Sequence, residues 1–223
     1  MTLRRFFSSS VGTKILIALT GLAFFGFLIT HLAGNLLILV SADSFNGYSH
    51  TLTANPLLPL AELGLLAIFV LHVVKAIGNY ASNKSARPAP YEKKARAGHT
   101  SRKSLSSTTM IFTGSIILIF TVLHIAMFKY GTYYEDAVHK YRDLNRLVVE
   151  TFANPLWVGF YVLSMVVIGF HLRHGLSSAC QSLGLSQPRY SRTARIIGTV
   201  LAVLIAGGFA MIPLWVFFTG GRS

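Results

Sequence analysis

MIFTGSIILIFTVLHIAM, residues 110–127, contains no Asp, Glu, Lys or Arg. Coiled as an α-helix, its 18 residues rise about 27 Å, close to the ~30 Å hydrocarbon core of a bilayer. A soluble helix of this length keeps a charged or polar face for water, and the stretch 116–120 offers none. Four more runs of the same kind occupy residues 15–40, 57–77, 156–170 and 196–218. Most extend through Gly, Ser and Thr to the ~20 residues that a spanning helix needs, and small residues suit close helix approach inside a membrane. Charged residues make up 12% of the chain, against about 25% in a typical soluble domain. The reading is an all-α integral membrane bundle of five transmembrane helices, a single domain over 1–223.

Loop charges orient the bundle. Arg4, Arg5 and Lys14 precede the first run; Lys84, Arg87, Lys93, Lys94, Arg96, Arg102 and Lys103 lie between the second and third; Arg189, Arg192 and Arg195 precede the fifth. The first connection, 41–56, has no Lys or Arg, and in the third Lys129, Lys140, Arg142 and Arg146 are offset by Glu135, Asp136, Asp143 and Glu150. The basic segments therefore face the cytoplasm, with the N-terminus inside and the C-terminus outside. This bias accounts for most of the formal charge of +13. Nucleic acid is not the expected partner, because the basic residues are split among three segments without interleaved aromatics. The first run is too long for a signal peptide and includes His31 and Asn35, so it reads as a retained span. The single Cys180 excludes an internal disulfide and a thiolate metal site.

Four histidines lie inside apolar sequence, one in each of the first four spans: His31, His72, His124 and His171. An ionisable side chain within a span is a functional hypothesis by default. His50, His99 and His139 fall in connections and read as surface residues. Counted from Gly12 and Ser106, His31 and His124 are level at roughly 28 Å, toward the outer side. Ala-Asn-Pro-Leu occurs at 54–57 and again at 153–156, each time with Asn as the expected N-cap and Pro as the first helical residue. His72 and His171 each follow that Asn by 17 residues, which makes them level on the cytoplasmic side. His174 is on the same face as His171 but lies almost a turn further along. Two level pairs at two depths suit two planar cofactors clamped by opposed imidazoles, and haem b is the natural candidate. Zinc or di-iron sites would call for carboxylate or thiolate company, and Glu62 is the only acidic residue within a run. A transporter would be expected to show paired charges near the midplane, and none is visible. Glu62 is a candidate for a proton or quinone role, while Lys75, Arg173 and His174 are candidates for contact with propionates or the membrane interface.

The stretches Gly21-Leu-Ala-Phe-Phe-Gly-Phe-Leu-Ile-Thr-His31-Leu32, Phe45-Asn46-Gly47-Tyr48-Ser49-His50, Phe160-Tyr161-Val162-Leu163, Phe170-His171-Leu172-Arg173-His174-Gly175-Leu176 and Gln181-Ser182-Leu183-Gly184 carry a resemblance in their order and spacing. Over nearly its whole length the chain resembles the cytochrome b membrane-anchor subunit of succinate:quinone oxidoreductases and fumarate reductases of the five-helix, two-haem type. The resemblance implies two haem b groups, an outer one on His31 and His124 and an inner one on His72 and His171. It implies an iron-sulfur subunit and a flavoprotein subunit at the cytoplasmic face of a bacterial inner membrane, with quinone, commonly menaquinone, as the redox partner in the lipid. Such a chain is an electron-transfer subunit of the enzyme and not its catalytic head. Fumarate-reducing members can carry an embedded glutamate just before the histidine of the fourth helix; Gly169 and Phe170 stand there in this chain. The alternatives are the cytochrome b subunit of another quinone-linked oxidoreductase, with its histidines crowded onto two helices, and a non-redox transporter.

Overall fold

A computed structural model describes residues 5, 9–86, 109–185 and 188–221. Arg4, His99 and the basic residues of 87–108 lie outside the described residues, as does the side chain of Arg189. Among the described residues there is no strand, and five helices are long and apolar enough to cross a membrane: Ser10–Leu39, Leu58–Ser85, Met110–Lys129, Pro155–Ser182 and Arg192–Thr219.

Helix α1 (Ser10–Asn35) starts where the Ser9 hydroxyl accepts the Gly12 N–H at 3.0 Å, and it tightens into a 3₁₀ turn over Leu36–Leu39. Helix α2 (Ala42–Thr53) is capped by Ser41 and fills the first connection. The second span, α3 (Leu58–Ser85), contains no buried residue and lies at the rim of the bundle. Helix α4 (Met110–His124) continues as a π turn over Ile125–Lys129. A short amphipathic helix, α5 (Leu144–Phe152), is capped by Asp143 and buries Leu147, Val148 and Phe152. Then come the long α6 (Pro155–Ser182) and α7 (Pro188–Thr219).

The two Ala-Asn-Pro-Leu segments fold differently. Asn154 is the N-cap of α6, accepting the Leu156 N–H at 2.9 Å, with Pro155 as the first helical residue. Asn55 accepts the Leu57 N–H in the same way, yet α3 begins only at Leu58, with Pro59 in its first turn. The expected N-cap at Asn55 is corrected to a turn: α2 runs to Thr53, and the Asn55 N–H is still tied back to the Leu52 carbonyl.

The dry core lies toward the end of the bundle that carries α2 and α5. It joins Ile38, Phe45, Phe120, Val148, Phe152, Tyr161, Met165, Ile212 and Val216 from six helical segments. Buried Asn46 locks the two short helices together, donating to Asp143 Oδ1 and accepting from the Asn145 N–H, both at 2.8 Å. Gly34 is required there, because a Cβ would run into the Tyr48 ring. Outward-facing Leu60, Leu63, Leu66 and Val70 of α3 remain exposed, as lipid-facing side chains must be.

Candidate cofactor site

Each of the four span histidines is half-buried, and each turns Nδ1 toward a polar partner. His72 Nδ1 lies 2.9 Å from Thr20 Oγ1 on α1, and His171 Nδ1 lies 3.2 Å from Thr113 Oγ1 on α4. His124 Nδ1 lies 3.2 Å from the Tyr161 hydroxyl of α6. His31 Nδ1 makes a longer contact, 3.4 Å, to the side-chain nitrogen of Asn35, one turn further along its own helix.

The hydroxyl protons decide the tautomers. Thr20 donates to the Leu16 carbonyl at 2.7 Å, Thr113 to the Met110 carbonyl at 3.1 Å, and Tyr161 to Met127 Sδ at 3.9 Å. A hydroxyl whose hydrogen is already given away meets an imidazole only as an acceptor. His72 and His171, whose threonines give their hydrogens to backbone carbonyls, are therefore held as Nδ1–H tautomers with a bare lone pair on Nε2, whereas Tyr161, closer to His124 Nδ1 than to Met127 Sδ, bonds its histidine in either sense. The Nδ1–H form is the state of a metal-ligating histidine, whose second nitrogen donates to a fixed acceptor. No Nε2 of the four has a hydrogen-bond partner among the described residues.

One of the two predicted pairs makes a ring contact. His31 and His124 have centroids 5.9 Å apart with planes at 86°. His72 and His171 are placed by matching contacts, each with Nδ1 at a threonine hydroxyl of a neighbouring helix. Glycines face the second pair: a Cβ on Gly21 would meet His72 Cε1 at 3.5 Å, and one on Gly114 would meet His171 Cε1 at 3.6 Å. Phenylalanines stack on the first pair, Phe27 on His31 at 5.1 Å and Phe120 on His124 at 5.6 Å.

Thr20, Thr113, Gly21, Gly114 and the two phenylalanines were not among the residues expected from sequence, although the signal is there. Thr20-Gly21, Phe27 and His31 recur as Thr113-Gly114, Phe120 and His124, each displaced by 93 residues. The shared pattern is Thr-Gly, five residues, Phe, three residues, His. Together with Asn55/Asn154 and His72/His171, each displaced by 99 residues, it relates α1 and α3 to α4 and α6 as repeats of the same orientation.

The remaining candidates fall elsewhere. Glu62 forms an ion pair with Lys129, both side chains about two-fifths exposed. The π turn carries α4 on through Lys129 and brings its ammonium against α3. The pair lies near a helix end, away from the midplane that a transporter would use. Lys75 sits one turn beyond His72 on α3. Arg173 Nε donates to Thr199 Oγ1 at 3.3 Å, which turns it toward α7. A cluster of Asp43, Asp136 and His139 brings ligand atoms within 4.8 Å of one another in the connections, largely exposed. No family model, curated protein or solved structure matches this chain.

Proposed function

We propose that the chain is a dihaem membrane anchor that carries electrons between an iron-sulfur subunit and membrane quinone, as in succinate:quinone oxidoreductases and fumarate reductases. The observation that carries this reading is the set of four half-buried histidines on four different helices, three of which, His72, His124 and His171, have Nδ1 at a hydroxyl from a neighbouring helix. Two imidazoles on opposite faces of one iron have ring centres roughly 6 Å apart, given metal–nitrogen bonds of about 2 Å. The 5.9 Å between His31 and His124 fits that span. Gly21 and Gly114 present no side chain of their own to His72 and His171. A haem held by each pair would supply a one-electron redox centre.

The chain's own residues hold and tune. Thr20 and Thr113 accept from Nδ1–H, fixing each ring and raising the basicity of the opposite nitrogen, and the Tyr161 hydroxyl orients His124. Phe27 and Phe120 stack on the rings of His31 and His124 and help to hold their planes. Glu62 and Lys129 stand together near the end of the helix carrying His124, where a carboxylate and an ammonium serve to hold or pass a proton to quinone at the membrane surface. The positive-inside bias puts the dense basic segments, including Lys93, Lys94 and Arg96, on the cytoplasmic side, the side on which iron-sulfur and flavoprotein subunits dock. Menaquinone as the partner and the bacterial inner membrane as the location rest on the resemblance alone.

The test is a reduced-minus-oxidised spectrum and a haem assay on the full chain purified after expression with haem supplied. A b-type alpha band and two haems per chain are expected; absence of the band overturns the reading. Glu62→Gln is expected to lower quinone turnover with the haem spectrum unchanged, and unaltered turnover removes Glu62 from the proposal.

A further inference from the structure

At the end of the bundle where α6 finishes and α7 begins, Arg173, Arg192 and Arg195 converge with Thr199, Ile196 and Val200 on an open cleft of about 430 Å³. Thr199 is held in place from both sides: its hydroxyl donates to the Arg195 carbonyl at 2.8 Å and accepts from Arg173 Nε at 3.3 Å. Three guanidinium groups thus share one cavity, and none forms an ion pair among the described residues. Every described carboxylate, on Asp43, Glu62, Glu135, Asp136, Asp143 and Glu150, belongs to the two connections at the other end of the bundle or to the first turns of α3. Like charges brought together without a counter-charge repel one another, so an anion bound here gains from all three.

The apolar part of the cleft identifies the anion. Ile196 and Val200 are 55% and 51% exposed, and exposed Val203 and Leu204 continue the same strip along α7 into the spanning part of the helix. A soluble phosphate has no use for that strip, whereas a phospholipid puts its phosphate among the guanidinium groups and lays an acyl chain along the side chains. Basic pockets between membrane helices with an adjoining apolar wall match the headgroup of an anionic lipid.

We infer that the Arg173–Arg192–Arg195 cleft is a binding site for the phosphodiester headgroup of an anionic phospholipid, with one acyl chain along Ile196, Val200 and Leu204. The site needs no cofactor, so it stands or falls apart from the redox reading. Each guanidinium next to the phosphate is expected to contribute about a fivefold preference over a zwitterionic lipid.

The experiment uses the full chain, delipidated in detergent and then exposed to phosphatidylglycerol, phosphatidylcholine or inorganic phosphate. Bound lipid is counted by native mass spectrometry, and thermal stability and haem content are measured on the same samples. Phosphatidylglycerol should bind at one tight site and raise the melting temperature, with phosphatidylcholine at least tenfold weaker. In Arg192→Gln/Arg195→Gln that preference should fall at least tenfold, and in Arg192→Lys/Arg195→Lys most of it should remain. Equal binding of the two lipids by the unmodified chain overturns the inference without reference to any variant. Equal stabilisation by inorganic phosphate overturns the lipid source. Loss of haem from the Gln variant with lipid preference unchanged assigns the arginines to the cofactor and likewise overturns it.

Discussion

The two histidine pairs are built from the same repeat and secured in different ways. His72 and His171 are each held from a neighbouring helix by a threonine that lies at the same place in both repeats. His31 and His124 share a stacked phenylalanine, but their hydrogen bonds differ: Asn35 is one turn along the same helix, and Tyr161 comes from α6. Orientation of the His72–His171 pair is therefore tied to how α1 packs on α3 and α4 on α6. The His31–His124 pair keeps its symmetry in the ring stacks and loses it in the hydrogen bonds. A repeat conserves what both copies need and releases what only one face of the bundle supplies; here Tyr161, buried among Phe120, Phe128, Phe152 and Phe160, belongs to the core of only one copy.

On the dihaem proposal, removing a proposed ligand has the largest effect, with the His31–His124 haem called outer and the His72–His171 haem inner. His72→Ala or His171→Ala should leave one haem per chain, with the outer spectral component intact, and His31→Ala or His124→Ala should leave the inner one. Pyridine haemochrome and low-spin resonance signals measure this. If His31→Ala and His72→Ala remove the same component, the pairing is wrong. His174→Ala should leave both haems, because no described hydrogen bond orients its ring as Thr113 orients His171.

Next in size is space beside the inner pair. Gly21→Ala and Gly114→Ala should be tolerated, since a Cβ at 3.5 or 3.6 Å from an imidazole carbon is ordinary contact. Gly21→Leu and Gly114→Leu should displace His72 or His171 and lose the inner haem while the outer remains. Retention of both haems in the Leu variants would show that the glycines only serve helix packing.

The hydroxyls come third. Thr20→Val and Thr113→Val keep the shape and remove the acceptor, and should weaken inner-haem retention about 10- to 100-fold, the usual cost of deleting a ligand's hydrogen-bond partner. Haem dissociation to apomyoglobin measures it. Equal dissociation rates in variant and parent would deny the threonines a role in setting the tautomer.

The five spans and the four histidines were legible because hydropathy and isolated polar residues in apolar runs are strong one-dimensional signals. Helices α2 and α5 were not, because their short apolar faces fold only against each other and the core through Asn46, Phe45 and Phe152. Thr20 and Thr113 escaped notice because a threonine in an apolar helix ordinarily bonds its own backbone. Both do so here and still accept a second bond from histidine. Only their equal spacing to His31 and His124 marks them. The Glu62–Lys129 pair depended on a π turn, an added residue per turn that no periodicity reading anticipates.

The smallest effect separates the two outer histidines. Tyr161→Phe keeps the aromatic packing and removes the hydroxyl at His124, so outer-haem dissociation should quicken about tenfold. Asn35→Leu should change it by about twofold at most. The Asn35 amide nitrogen donates to the His31 carbonyl at 2.8 Å, and at 3.4 Å from Nδ1 it is a poor partner for that nitrogen. A donor facing Nδ1 also favours the tautomer with hydrogen on Nε2, the reverse of what a ligand needs, so His31 is oriented chiefly by its stack on Phe27. Phe27→Ala should then exceed Asn35→Leu in effect on the outer haem. If Asn35→Leu instead matches Tyr161→Phe, the two outer histidines are held alike, and the asymmetry drawn between them fails.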